Sequence, residues 1–149
     1  MKSQQFLMEV AKALAGCQAV ELELKLYISQ AFFVVRSSVG DRLPFKFSGN
    51  DYADASLERL IDTFRKLCDN DELIKRLNQF KGKRNHLAHK AIADCLDDLG
   101  DFDEWAAAEG YATISTIQRD ADGLLNDIAR EHQNLYVIER GIPIPPDAV

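Results

Sequence analysis

Hydrophobic residues recur along this chain in alternating steps of three and four, which is the spacing of one buried face of an α-helix. The clearest stripe predicts a first helix over residues 6–34 and consists of Phe6, Val10, Ala13, Cys17, Val20, Leu24, Tyr27, Ala31 and Val34. More apolar residues lie beside it, so this helix is expected to pack on more than one side: Leu7, Leu14, Leu22, Leu26 and Phe33. Gly40 predicts its end, because glycine is the usual C-terminal cap.

Three further helices are predicted by the same spacing. The second runs from Leu57 to Cys68, and the third follows the capping residues 69–72 and runs from Leu73 to Ala91. The last helix has a nearly regular seam broken by Glu131 and ends at Gly141; the seam consists of Ile114, Ile117, Ala121, Leu124, Ile128, Leu135 and Ile138.

The connections between these helices are predicted as loops. Residues 41–51 contain Pro44 and Gly49, and Phe45 and Phe47 are expected to anchor this loop to the core. The acidic segment 94–104 lacks the ligand spacing of a calcium loop, so we interpret it as a solvated connection. Two hydrophobic residues within or beside it are expected to anchor it, Phe102 and Trp105.

The fold expected from these elements is an all-α, antiparallel bundle of four to five helices. A chain of 149 residues has the usual size of one domain, and we assign residues 1–140 to it. Three prolines predict an extended tail over residues 141–149.

Composition favours a cytoplasmic protein that does not contact a membrane. The longest apolar run, residues 31–35, is far shorter than the ~20 residues of a membrane-spanning helix. The first residues lack the features of a secretory signal. Three widely spaced cysteines, Cys17, Cys68 and Cys95, are typical of reduced and mostly buried thiols.

Positive charge is concentrated in the third predicted helix, although the net charge of the chain is −6. Residues 73–93 include no acidic residue and six basic ones, a local charge of +6: Lys75, Arg76, Lys81, Lys83, Arg84 and Lys90. Two interpretations remain open. Either these side chains pair with acidic residues of neighbouring helices, or they form a local binding site for anions.

Arg84 interrupts the apolar seam of the third helix, between Phe80 and Leu87. A guanidinium group at a core-facing position is costly unless it meets a carboxylate, a cleft or a partner surface. One interpretation is a structural ion pair with Glu21 or Glu23 of the first helix. The other is a functional role together with the neighbouring polar residues.

Those neighbours suit cleavage of RNA by its own 2′-hydroxyl group. A histidine such as His89 can take or give a proton near neutral pH, an arginine can hold the phosphate, and Asn85 can orient either group. Arg84 and His89 are five residues apart, or ~140° around an ideal helix. They converge only if the arginine curls, if the helix distorts near Gly82, or if a second copy contributes.

The sequence Arg84-Asn85-x-x-x-His89, with its basic flank, resembles the signature of the HEPN superfamily. The resemblance implies a homodimeric helical bundle in which two motifs face one cleft. It also implies a metal-independent endoribonuclease, often a toxin or defence effector, with Arg84, Asn85 and His89 as catalytic residues. Other members are binding or assembly modules. One departure is Ala91, where toxins regulated by nucleotidyl transfer often carry a tyrosine.

Four residues within or beside the motif are expected to contact RNA or phosphate: Lys81, Lys83, His86 and Lys90. His86 and His89 have the spacing of a metal-binding pair but lack further ligands nearby, so we expect no metal and no cofactor. Three functions remain open. They are an endoribonuclease, a non-catalytic module that binds RNA or a nucleotide, and a helical adaptor for an antitoxin or another partner protein. For the first two we expect a homodimer whose interface includes the third helix.

Overall fold

The structure is a computed structural model that describes residues 2–141 and consists of four packed helices. They are α1 (Ser3–Val39), α2 (Leu57–Leu67), α3 (Asp71–His89) and α4 (Glu104–Arg140). Residues 2–141 form no β-strand, and the only β-type pairing among them is an isolated bridge between Leu96 and Phe102. The predicted all-α bundle is confirmed. The predicted tail lies outside the described residues, apart from Gly141 at its start.

The helix ends lie where capping residues stop or start the hydrogen-bond pattern. Gly40 follows α1 with a positive φ of 57°, as its predicted role as a C-terminal cap requires. The side chains of Ser56, Asn70 and Asp103 accept backbone N–H hydrogen bonds at the first turns of α2, α3 and α4, respectively. The predicted cap of α1 at Gly40 and the predicted capping segment of α3 are thus confirmed, whereas the caps at Ser56 and Asp103 were not predicted.

Two helix boundaries differ from the prediction. Helix α3 ends at His89 and not at Ala91, although Ala91 is buried. Helix α4 starts at Glu104, well before the first residue of its predicted seam, because Asp103 caps it there.

One of the two residues expected to anchor the acidic segment does contact the core. Phe102 packs on Phe6 with ring centroids 5.7 Å apart.

Two other predicted anchors are mostly exposed. Trp105 lies on the first turn of α4 with most of its side chain in solvent, so its prediction as an anchor was wrong. In the loop after α1, Phe45 is partly buried against the core as predicted. Phe47 lies 5.8 Å from the ring of Phe32, yet its side chain remains exposed and it anchors the loop only weakly.

The loop between α1 and α2 runs back along α1, and this determines where α2 begins. Arg36 near the end of α1 donates a hydrogen bond to the Phe47 carbonyl (2.9 Å). Further along the loop, the Ala53 carbonyl accepts one from Lys25, which lies three turns earlier in α1 (2.8 Å). Helix α2 therefore begins beside the middle of α1. Its last residue, Leu67, also lies beside α1, because its carbonyl accepts a hydrogen bond from the Tyr27 hydroxyl (3.1 Å).

Helix α3 turns back, and α4 then runs parallel to α1 along its whole length. Gln118 donates to Glu9 near one end of this pair, and Gln30 donates to Glu139 near the other. The antiparallel arrangement expected for the bundle thus applies to α3 against its neighbours, whereas α1 and α4 are parallel. The long loop after α1 is the physical reason, since it returns the chain before α2 starts.

The core forms from the predicted stripes. Every residue of the α1 stripe is buried, and the α4 seam is buried from Ile114 to Leu135 except at Glu131, which is half-buried. Ile138 at the end of that seam is exposed. Gly16 permits close packing of α1 on α4, because a Cβ added there would lie 3.1 Å from the Cβ of Ala121. No helix within residues 2–141 is long and apolar enough to cross a lipid bilayer.

The three cysteines are buried free thiols, as predicted from their spacing. Burial raises the pKa of the Cys17 thiol to about 11, and the positive charge of Arg84 opposes this rise only partly. Burial also raises the pKa of Cys68 and of Cys95. All three side chains are therefore protonated and poorly nucleophilic near neutral pH.

Candidate functional site

The Arg84-Asn85-x-x-x-His89 motif occupies the C-terminal part of α3. The helix continues without interruption through Gly82 and ends at His89, where the Lys90 N–H caps it by donating to the His86 carbonyl. The distortion that would let Arg84 and His89 converge within one chain is therefore absent from α3.

Arg84 pairs with Glu21 of α1, one of the two glutamates considered from the sequence. Its Nε lies 3.2 Å from Glu21 Oε1, with 31% of the arginine side chain and 17% of the glutamate side chain exposed. This contact is an ion pair without hydrogen-bond alignment, since Glu21 Oε1 is buried and accepts no hydrogen bond. Glu23 lies on another side of α1 and pairs with His132, at 3.5 Å.

The pairing through Nε leaves the forked end of Arg84 available. Within residues 2–141, neither terminal nitrogen, Nη1 or Nη2, makes a hydrogen bond. Arg84 lines an open cleft of about 340 Å³ between α1, α3 and the start of α2, whose other lining residues are Glu21, Asp54, Ala55, Ser56, Leu57, Glu58, Lys81 and Asn85. The guanidinium is thus held at one nitrogen and faces a space that can admit a small group.

Asn85 and His89 differ in their relation to this cleft. Asn85 is exposed and lines it beside Arg84. His89 is exposed at the end of α3 and does not line it. The side chain of Arg84 is held toward α1 and cannot curl toward His89 while it pairs with Glu21. One chain therefore brings Arg84 and Asn85 together but not His89.

His86 lies on a different side of α3, next to the connection with α4. Its Nε2 is 3.6 Å from Asp94 Oδ2, and both residues line a small cavity of about 80 Å³ together with Cys95. The raised pKa of the Cys95 thiol, caused by burial and then by Asp94 and Asp103, argues against a nucleophilic role there. Among the described residues there is no group of three or more side chains suited to a metal ion.

The basic residues of α3 pair mostly with acids of neighbouring helices. Lys83 Nζ lies 2.7 Å from Asp120 of α4, and Arg76 contacts Asp127 of the same helix. Lys81 Nζ is 3.6 Å from Glu58 of α2. Together with Arg84, four of the six basic side chains are thus partly neutralised, which favours the first of the two interpretations of this segment.

Lys75 and Lys90 are the exceptions. Both are exposed, and neither makes an ion pair within the part of the chain that the structure describes. Lys90 directly follows His89, whereas Lys75 lies four turns earlier in α3. Of the four residues predicted to contact RNA, Lys90 is therefore the one whose charge is least engaged.

The cleft contains residues that the sequence did not identify as part of a site. Asp54, Ser56 and Glu58 belong to the start of α2, and only the return of the loop after α1 places them beside Arg84. The apolar spacing from Leu57 onward predicted where α2 starts. No local signal in this segment indicated which helix it contacts.

The comparisons with known proteins give no further support for any function. No protein-family model matches the sequence, and no curated protein and no solved structure is significantly similar to it.

Proposed function

We propose that this chain is a metal-independent endoribonuclease of the HEPN type. In this mechanism the 2′-hydroxyl of the RNA attacks the adjacent phosphorus. The O2′–P bond forms, the P–O5′ bond breaks, and the products end in a 2′,3′-cyclic phosphate and a 5′-hydroxyl. Histidine side chains take the proton from the 2′-hydroxyl and supply one to the leaving oxygen.

The arrangement of Arg84 is the observation that carries this proposal. Glu21 holds the guanidinium at Nε, and the terminal nitrogens are left for a ligand in the cleft that Asn85 also lines. A guanidinium fork can bind two phosphate oxygens at once and stabilise the charge that develops on them. In this role Glu21 positions Arg84, and the ion pair does not compete with function.

His89 supplies the proton transfer in this proposal, and a second copy of the chain completes the site. Within one chain the continuous α3 helix keeps His89 away from the Arg84 cleft. The resemblance to HEPN proteins implies a dimer with two motifs in one cleft, which resolves this geometry. A role as a toxin or defence effector, with an antitoxin or other partner protein, follows from the same resemblance.

A second function is favoured by a different observation. Four basic side chains of α3 pair with acids of α1, α2 and α4. In this alternative, their charges serve solely to hold the bundle together. The chain is then a helical adaptor. A module that binds RNA or a nucleotide without cleaving it is intermediate between these two functions, since it uses the Arg84 cleft but not His89.

The direct test of the proposal is incubation of the purified chain with mixed RNA in the presence of EDTA, followed by mapping of the fragment ends. We expect cleavage with 2′,3′-cyclic phosphate ends. Complete absence of cleavage by the dimer, over a range of RNA substrates and pH values, would favour the adaptor or the binding module.

RNA binding is expected to weaken steeply with salt, because each phosphate contact releases counterions. Lys90→Gln is predicted to reduce the slope of log affinity against log salt concentration by about one unit, since it removes one exposed cation beside the motif. Fluorescence anisotropy with a labelled single-stranded RNA at several salt concentrations measures this slope.

Lys75→Gln is the matched control for this measurement. It removes another exposed lysine, which lies in α3 far from the motif and makes no ion pair within the described residues. We expect it to leave the slope unchanged. Equal effects of the two substitutions would mean that RNA contacts α3 without regard to the motif, and salt-independent binding would contradict the proposed phosphate contacts.

A further inference from the structure

The outer face of α1 is an uncovered apolar strip. The first helix was expected to pack on more than one side, and it contacts α2, α3 and α4. Within the described chain its outer side nevertheless contacts solvent. Eight exposed residues follow one another along it in steps of three and four, and they form what we name the outer strip: Met8, Ala11, Ala15, Gln18, Leu22, Leu26, Ser29 and Phe33. The large members are about half exposed, with values of 58% for Met8, 57% for Leu22, 47% for Leu26 and 48% for Phe33.

The outer strip contains no charged residue, in a protein of which 28% of residues are charged. The two basic side chains that border its C-terminal half are engaged by the loop after α1. Lys25 donates to the Ala53 carbonyl and Arg36 to the Phe47 carbonyl. A long, uncharged and exposed helix face of this kind is typical of a surface that binds another protein.

We propose that the outer strip binds the outer strip of a second copy, with the two α1 helices antiparallel. A strip without charge can meet itself without repulsion, even though each copy has a net charge of −6. A twofold axis next to residue 20 matches every member with a partner. Met8 then opposes Phe33 of the second copy, Ala11 opposes Ser29, Ala15 opposes Leu26, and Gln18 opposes Leu22.

The shape of the strip favours the antiparallel direction over the parallel one. Ser29 is the crowded point of the strip. The loop after α1 approaches it so closely that a Cβ atom added to Gly49 would lie 2.5 Å from Ser29 Oγ. In the antiparallel register the small Ala11 faces this point. In a parallel pair the two crowded points would face each other, and Ala15 would face Ala15, which leaves a gap.

The strip alone supplies about half of the area that each partner contributes to a standard interface. Residues 8–33 extend over ~39 Å, so with the ~10 Å width of a helix the planar footprint is about 400 Å² on each copy. Phe47, exposed and held beside Arg36 at the end of the strip, extends it toward the ~800 Å² per partner of a standard interface.

The proposed pairing also affects the candidate site. Glu21 lies next to Leu22 and close to the twofold axis, and it contacts Arg84 on one flank of α1. An antiparallel pair places the same flank of both copies on one side of the dimer, so both Arg84 clefts border one groove. This inference concerns the interface and does not depend on RNA cleavage.

Sedimentation velocity of the full chain tests the interface. We expect a dimer at micromolar concentration, and a loss of dimer affinity of more than about 100-fold in Leu22→Glu/Leu26→Glu, because the substitutions bury four carboxylates at its centre. Leu99→Glu is the matched control, since Leu99 is an exposed leucine (88%) in the connection before α4, whose Phe102 packs on Phe6 and not on the outer strip. It should sediment as the wild-type protein does.

A cysteine experiment tests the direction of the pair, and it does not require a destabilising change. The native cysteines are buried, so a cysteine introduced at position 15 or 26 is the accessible one. Under mild oxidation we expect a disulfide-linked dimer only when Ala15→Cys and Leu26→Cys are mixed. Crosslinking of each variant with itself would instead indicate a parallel pair and overturn the proposed register.

Three results would overturn the interface itself. They are a monomer at all concentrations, a dimer unaffected by the glutamate substitutions in α1, and binding of the strip only by an unrelated protein. A dimer without RNA cleavage would leave the interface intact and contradict the proposed function alone. Circular dichroism of Leu22→Glu/Leu26→Glu distinguishes loss of the dimer from loss of the fold.

Discussion

His89→Ala is expected to reduce RNA cleavage by about 10²- to 10⁴-fold, the usual contribution of one acid–base group. The fold and the RNA affinity should remain nearly unchanged, because a proton-transferring group acts mainly in the transition state. His89 is exposed at the last residue of α3 and makes no ion pair within residues 2–141, so its removal breaks no ion pair among them. Single-turnover cleavage of a labelled RNA measures the rate.

His86→Ala is the control for this experiment, since it changes a second exposed histidine one turn away in the same helix. His86 pairs with Asp94 beside a different cavity, and we expect a much smaller effect on the rate. Wild-type activity should persist in EDTA. If the wild type and His89→Ala cleave RNA equally, the activity comes from a contaminant or another site, and the binding module becomes the favoured function.

Arg84→Ala is expected to lower both cleavage and stability. Loss of a group that holds the developing charge on phosphate should reduce the rate by about 10²- to 10³-fold. The substitution also leaves the largely buried carboxylate of Glu21 without its cation. A buried polar group that loses its partner costs about 1–3 kcal/mol of the free energy of unfolding. Urea denaturation, followed by circular dichroism, measures that loss.

A double substitution separates the two effects of Arg84. In Glu21→Gln/Arg84→Ala the unpaired charge is gone, so most of the lost stability should return, while cleavage should remain as low as in Arg84→Ala. The adaptor interpretation predicts the same stability pattern without any cleavage in the wild type. Recovery of cleavage in the double variant would show that Arg84 does not act on RNA directly.

The sequence was sufficient to predict the helices because their signals are local. The stripe of α1 is buried from Phe6 to Val34, and Gly40 caps that helix with the positive φ that glycine adopts most easily. Asn70 caps α3 within the predicted capping segment. Periodicity and caps depend on residues within one or two turns, so they are readable without knowledge of the fold.

The direction of the helices could not be predicted, because it depends on contacts between distant residues. Lys25 and Ala53 are 28 residues apart, and their hydrogen bond is part of what returns the loop along α1. The exposure of Trp105 has a similar origin. An aromatic residue predicts burial from its type alone, but Asp103 starts α4 in a position that leaves this side chain in solvent.

For the candidate site, the sequence identified the residue types but not their surroundings. Arg84 was recognised because it interrupts an apolar seam, and two glutamates of α1 were possible partners. Glu21 and Glu23 lie ~160° apart on that helix, so only the packing of α3 decides that Arg84 meets Glu21. The roles of Arg84, Asn85 and His89 stay predictions until the variants are measured.

The parallel packing of α1 and α4 has a consequence for how the chain acquires its fold. These helices lie at opposite ends of the sequence, and their contacts join residues 109 apart, such as Gln30 and Glu139. During synthesis the apolar stripe of α1 leaves the ribosome before α4 does and remains largely uncovered until α4 follows. The hairpin of α2 and α3 has local contacts and can form earlier. Folding therefore completes late, and the nascent N-terminal helix is the segment that needs protection from aggregation.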